Sequence, residues 1–479
     1  MRLTETSSAP KRIEPRRIEL VMTTIRERIA ARQLTPGARL PSVRQAARSM
    51  GVSVSTVVEA YERLAAEGVI RSRPGSGFYV SAPLAPLALG KIGPRLDREV
   101  DPLWMSRQSL EAGEGMLRPG CGWLPAEWMP EAALRRALKA VARGSAASLA
   151  DYSEPLGLAP LRGFIARRLG ERDIAAAPDQ ILLTGSGTQA IDLVCRFLIE
   201  PGDTVLIDDP CYFNFRALLQ AHRADIVGVP MTPNGPDLEI FAQSLAQKRP
   251  RLYLTNAAVH NPTGAAISST TAHRLMALAE PAGLIIVEDD IFADFETAPT
   301  PRLAAFDGLR NVIQIGSFSK TLSAAARCGY IAARPDWIEQ IADIGLATQF
   351  GSPRLSAEIA LTLLKDGGYR RHLEALRARL TGAMTATIRR LEALGITPFV
   401  EPKAGMFVWA RLPGEADASQ IARLCLAEGI VLAPGNAFSL GQTARDYLRF
   451  NVSQSDDPRI YDSLARALRA SAPPMRAAG

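Results

Sequence analysis

The sequence predicts an α/β protein in two parts: a small, basic, helical head closed by a β-hairpin, and a large body around a mostly parallel sheet. Three observations predict it. At 479 residues the chain is too long for one compact domain. Residues 1–80 hold 14 Lys+Arg against 7 Asp+Glu, while the whole chain holds 56 against 49, so all of the net +7 sits in the first block and the remainder is neutral. Beyond the block, apolar runs of strand length (QILLTG, DTVLIDD, RLYLTN, LIIVEDD, VIQIGSF) alternate with helix-like stretches. Runs apolar throughout are what strands buried on both faces require.

Composition excludes several classes. With 47% hydrophobic and 22% charged residues and a mean hydropathy of +0.02, the chain is neither disordered, collagen-like nor membrane-embedded. No run of 18 apolar residues is present, and the N-terminal MRLTETSSAPKRIEP has no apolar core, so neither a membrane helix nor a secretory signal is expected. Cys121, Cys195, Cys211, Cys328 and Cys425 form no CxxC pair, and His222, His260, His273 and His372 show no ligand spacing. Reduced thiols, a cytoplasmic location and no metal site are the expectation.

The head reads in order. Residues 17–32 place Ile18, Val21, Met22, Ile25 and Ile29 on one helical face. Pro36-Gly37 stops that helix, Ser42 caps a short helix VRQAARSM, and Gly51 closes it. Ser53 or Ser55 caps the next helix, TVVEAYERLAAEG, and VIRSRPGSGFYV reads as two short strands around a Gly-rich turn. Helix, helix, turn, helix, hairpin is the outline of a winged helix-turn-helix over residues 14–80. A basic block on a neutral body is also the charge footprint of a nucleic-acid-binding module.

From Pro36 to Val80 the stretch closely resembles, without a gap, the DNA-binding domain of the GntR regulator family. The resemblance implies that Arg44, the hydroxyls of Ser53, Ser55 and Thr56, and the wing tip at Gly75 contact double-stranded operator DNA. Val54 and Val58 stand where family members often carry arginines, so the operator cannot be carried over; the two valines either pack or touch thymine methyls.

Residues 81–116 carry prolines at 83, 86, 94 and 102 and read as a semi-rigid linker, which leaves 117–479 for the body. Three strand ends there are chemically suggestive. Gly185-Ser186-Gly187-Thr188 opens a helix with small residues, leaving backbone N–H groups free for a phosphate. LIIVEDD ends in three carboxylates, Glu288, Asp289 and Asp290, which repel one another unless one meets a cation; metal binding or an exposed loop are the other readings. Lys320 follows a Ser-Phe-Ser turn, with Arg327 seven residues on, and a lysine so placed can act as a Schiff-base amine.

In this order, and with His260-Asn261-Pro262-Thr263-Gly264 between the first and second, these segments resemble the fold-type I (aspartate aminotransferase-like), class I aminotransferases that bind pyridoxal 5′-phosphate (PLP), over about 151–453. The resemblance implies that Lys320 forms the Schiff base, Asp289 pairs with the pyridinium nitrogen, Asn261 donates to O3′ and Tyr212 stacks on the ring. It further implies that Gly187, Thr188, Ser317 and Arg327 hold the phosphate, that Tyr152 helps, often from the other subunit, and that Arg449 in YLRFNVS grips a carboxylate. Phe292 stands in the stretch where the family often has a tyrosine bound to O3′. Head and body together resemble the MocR-type (GabR-like) regulators. That implies a head-to-tail homodimer that senses an amino acid or related amine as an external aldimine. The alternative is a working aminotransferase carrying a DNA-binding head.

Overall fold

The computed structural model describes residues 15–31, 33–35, 37–73, 77–81, 110, 113 and 115–471. The chain divides into two compact units, Met1–Ala88 and Leu89–Gly479. Most of the expected linker, and Gly75 at the wing tip, lie outside the described residues.

The head contains α1 (Pro15–Ala30), α2 (Val43–Met50) and α3 (Val54–Ala66), then strands β1 (Ile70–Arg73) and β2 (Gly77–Val80), paired antiparallel with Ile70 opposite Val80. Ser42 caps α2 through a capping box: its hydroxyl accepts from Gln45 N at 3.3 Å, and its own N–H donates to the Gln45 side chain at 3.1 Å. Gly51 ends α2 with φ +63°, a conformation that suits glycine and sets the tight turn into α3. Ser53 caps α3, accepting from Thr56 N at 3.1 Å. The apolar face of α1 is buried against Val57, Ala60, Tyr61 and Leu64 of α3. The Tyr61 hydroxyl donates to Pro41 O at 3.0 Å and ties α3 to the turn before α2.

The body is built on an eight-stranded sheet: β3 (Ile181–Thr184), β4 (Thr204–Asp209), β5 (Asp225–Thr232), β6 (Gly235–Pro236), β7 (Leu252–Thr255), β8 (Ile285–Asp289), β9 (Val312–Ser317) and β10 (Gly329–Ala332), in spatial order β3-β10-β9-β8-β7-β4-β5-β6. From β9 across to β5 every pairing is parallel, while β10 runs antiparallel to both neighbours and β6 antiparallel to β5. The expected mostly parallel α/β sheet is therefore present. Helices cover both faces and form two separate apolar cores.

A second, four-stranded antiparallel sheet closes the C-terminal part: β11 (Thr397–Pro398), β12 (Phe407–Arg411), β13 (Ala433–Pro434) and β14 (Tyr447–Asn451), in order β11-β12-β14-β13. Arg449 sits in the middle of β14, opposite Trp409 on one side and Ala433 on the other. Among the described residues no helix is long and apolar enough to cross a membrane.

Candidate functional site

Strand alternation sorts the three carboxylates at the end of β8, because neighbouring side chains point to opposite faces. Glu288 accepts from Leu303 N and Ala304 N, both at 3.0 Å, at the start of the helix Leu303–Asp307. Asp290 accepts from Arg302 Nε at 3.0 Å and from the Gln314 amide at 2.9 Å. These two have buried partners on the far side of the sheet. Asp289 alone lines the cavity that also holds Lys320. Burial is the main cause that pushes its carboxyl up to about 7. The Asn256 amide donates to the Asp289 carbonyl at 2.9 Å and fixes the strand end.

Two adjoining cavities form the site. One, of about 470 Å³, is lined by Gly187, Thr188, Asp289, Ser317, Lys320 and Arg327, among others. The other, of about 210 Å³, is lined by Cys121, Tyr212, Asn261, Phe292, Lys320 and Arg449 with their neighbours. Tyr212, Trp123, Ile291 and Lys320 border both. Eight of the nine residues expected at a cofactor thus meet at one place. Tyr152 does not: it is 73% exposed, its ring 4.6 Å from that of Phe350.

The Gly/Ser turn is packed as tightly as close backbone approach demands. A side chain at Gly329 on β10 would come within 2.7 Å of the Ser186 carbonyl carbon, so glycine lets β10 press against the turn that opens the helix Gly187–Leu198. Ser186 caps that helix. Beside it, the Ser317 hydroxyl donates to Cys328 O at 3.2 Å, and Arg327 adopts φ +44°, which aims its backbone through an uncommon region.

Lys320 and Arg449 are the two cations of the inner cavity. Burial, with Arg449 nearby, pulls the Lys320 amine down to about 8, and it donates to Gly122 O at 2.5 Å. Arg449 is 1% exposed and has no carboxylate partner among the described residues. It donates to Asn261 Oδ1 at 2.9 Å and Gly120 O at 2.8 Å, lies between the rings of Phe407 and Phe438, and leaves its Nε unsatisfied. Burial pulls it down to about 10. A buried guanidinium so poorly compensated calls for an anion. Because the Asn261 oxygen is taken by Arg449, its N–H₂ group remains for another acceptor.

The residues fit PLP: an amine of lowered pKa, a buried carboxyl in the same cavity, a helix start lined by hydroxyls and Arg327, and a guanidinium seeking an anion. Sequence reasoning missed the Gly120-Cys121-Gly122-Trp123 loop, whose carbonyls receive both cations. Its small residues between linker and first body helix were the only signal. Among the described residues no group of three or more metal-ligating side chains could hold a metal ion.

In the head, Arg44 is exposed on α2, and Ser53 and Ser55 are exposed at the start of α3. Thr56 is buried, its hydroxyl 2.7 Å from that of Ser53.

The description "Aminotransferase class I and II" matches residues 126–467. The chain belongs to this family. Its body has the fold-type I architecture of PLP-dependent aminotransferases. Residues 18–80 match the bacterial regulatory proteins of the gntR family, so the chain joins a GntR head to a class I/II aminotransferase body in the MocR-type order. It is 28% identical over 442 residues to the HTH-type transcriptional regulator YdfD of Bacillus subtilis, covering 90% of this chain and 91% of that one. It is 30% identical over 365 residues to the 2-aminoadipate transaminase of Thermus thermophilus, covering 74% of this chain and 90% of that one. The solved structure of LysN, an α-aminoadipate aminotransferase from Thermus thermophilus complexed with N-(5′-phosphopyridoxyl)-L-leucine, superposes with a TM-score of 0.70 at 28% identity, over 76% of this chain and 94% of that one.

Proposed function

We propose that this protein is a PLP-dependent transcription regulator whose body binds an amino acid or related amine and whose head binds an operator in response. The observation that carries it is one chain joining a GntR head to a body in which Lys320, Asp289 and Arg449 line one connected site. When bound, PLP supplies an electron sink joined to the amine of whatever condenses with it. Lys320 offers the amine that holds it, at a lowered pKa that favours the neutral, nucleophilic form. Asp289 would accept a hydrogen bond from the pyridine nitrogen, and a positive charge there would favour its ionised carboxylate. Gly187, Thr188, Ser317 and Arg327 hold the phosphate, Tyr212 covers the ring, and Asn261 keeps an N–H₂ group for O3′. Arg449 takes the carboxylate of the effector by a forked hydrogen bond, and the effector is sensed as an external aldimine.

Arg44, Ser53 and Ser55 contact the DNA, with Thr56 supporting Ser53; the motif also assigns a DNA contact to Gly75, which lies outside the described residues. The protein works in the cytoplasm as a head-to-tail homodimer. Exposed Tyr152 and Phe350, with Leu149 and Leu355 also exposed, offer an apolar surface to a partner, whose cofactor phosphate Tyr152 would reach. The complete set of Lys320, Asp289, Asn261 and Arg449 also favours a second reading, a working aminotransferase, which steady-state turnover with an amino acid and a keto acid would reveal.

The test is direct. The purified protein should be yellow and carry PLP that borohydride fixes covalently to Lys320. Lys320→Ala should lose both the absorbance and the fixed adduct; their persistence would overturn the reading.

A further inference from the structure

The surface of α3 is unusual for a helix that meets DNA. Its one arginine, Arg63, lies in the last turn and pairs with Glu59 at 2.8 Å. The first two turns, Val54 to Tyr61, contain no cation at all. Ser53, Val54, Ser55 and Val58 are exposed there, while Thr56, Val57, Ala60 and Tyr61 are buried. The valines therefore stand outside the head's apolar core. Val54 is 50% and Val58 37% exposed, and Leu20 on α1 is the head's one other exposed large apolar residue among those described. Residues four apart share a helix face, so Val54 and Val58 form one apolar strip beside the serines of the N-terminal turn.

Two branched apolar side chains left this exposed gain less for the folded head than its core residues do, and valine is a poorer helix former than alanine. The strip lies in the block that carries the whole net charge of +7, which draws the head to a polyanion. In the major groove of unmodified DNA the exposed apolar group is the thymine 5-methyl. We infer that Val54 and Val58 read thymine methyl groups, so that the head selects T·A pairs at two positions of each half-site. This rests on the DNA-binding reading above and specifies what that surface recognises. Guanine selection by arginine has no side chain on these two turns; any guanine contact falls to exposed arginines elsewhere in the head, such as Arg44 on α2.

The full-length, PLP-loaded protein can enrich duplexes from a random pool, and the enriched duplex can be resynthesised with 2′-deoxyuridine replacing single thymines. Uracil keeps the base pairing and loses only the methyl. We expect two thymines per half-site at which this exchange weakens binding about three- to five-fold each, the worth of one buried methyl group. Val54→Ala and Val58→Ala, which change both heads of the dimer and so both half-sites, should each weaken binding to the thymine duplex by about the square of that factor, roughly 10- to 25-fold, and each should abolish the effect of the exchange at one of the two positions in each half-site. Both side chains are exposed and alanine favours helix, so the variants keep the fold. Tolerance of uracil at every thymine would overturn the inference and leave the valine strip to contact protein. Valine variants that lose equal affinity on thymine and uracil duplexes would overturn it as well. Failure to enrich any sequence would overturn the DNA-binding reading itself, and the inference with it.

Discussion

Asp289 and Phe292 each have a measurable consequence at the scale of one residue. In the cofactor-free protein the Asp289 carboxyl is raised to about 7, above its ordinary value in an unfolded chain. Its protonated form therefore stabilises the fold; that contribution is full below about pH 4 and is lost as pH rises through 7. Glu288, pushed up to about 7 chiefly by burial, acts with the same sign. Asp289→Asn, which imitates the protonated carboxyl, should flatten the fall in thermal stability of the cofactor-free protein between pH 4 and 7 and should leave it roughly 2–4 kcal/mol more stable at pH 8 than wild type. An unchanged pH profile would show that Asp289 is ionised without the cofactor. Phe292 lines the inner cavity, buried edge-on against Phe407 at 5.7 Å, and brings no hydroxyl to it. A hydroxyl donating to O3′ would favour its ionised form and lower the pKa of the Schiff-base nitrogen. Phe292→Tyr should lower that pKa by about one to two units, the worth of a hydrogen bond to a charged oxygen, in a spectroscopic pH titration. A midpoint that does not move, with the tyrosine shown to reach O3′, would count against the O3′ account.

At the scale of elements, β8 is held by ion pairs that do not face the site. Arg302 bonds Asp290 at 3.0 Å and Glu296 at 2.6 Å and is buried with both. Arg302→Ala would strand two buried carboxylates and should lower unfolding free energy by about 3–5 kcal/mol in urea titration. A loss under about 1 kcal/mol would mean water replaces the guanidinium. The same strand shows what a sequence reveals. The apolar runs of β3, β4, β7, β8 and β9 were legible because strands buried on both faces are apolar throughout. Which of the three carboxylates faces the site was legible only through the family resemblance, which singled out Asp289; the strand's own residues leave it open, since it depends on the strand's orientation in the sheet. β10 was missed as an antiparallel insertion between β3 and β9, and β11 and β13, two residues each, are too short for any periodicity. Lys320, Asn261 and Arg449 were legible through motifs, whereas the Gly120–Trp123 loop makes its contacts through backbone carbonyls, which no side-chain pattern encodes. In the head, Ser42, Gly51 and Ser53 announced α2 and α3, α1 was legible only from its apolar face and ends at Ala30, short of Pro36-Gly37, and the burial of Thr56 followed only from the packing of the head.

At the scale of the whole molecule, a GntR head and an aminotransferase body share one chain, and the proposed regulation requires that an event in the body change the free energy of DNA binding by the head. Such coupling is reciprocal and typically worth roughly 5- to 150-fold in affinity. The measurement that tests this most directly is the operator affinity of the full-length, PLP-loaded protein, titrated with an amino acid that alters its visible spectrum. The regulator account predicts that the amino acid changes operator affinity by about five-fold or more, and that Lys320→Ala, in the same assay, binds operator with an affinity the amino acid does not alter. Equal operator affinity with and without an amino acid that demonstrably occupies the body would contradict it.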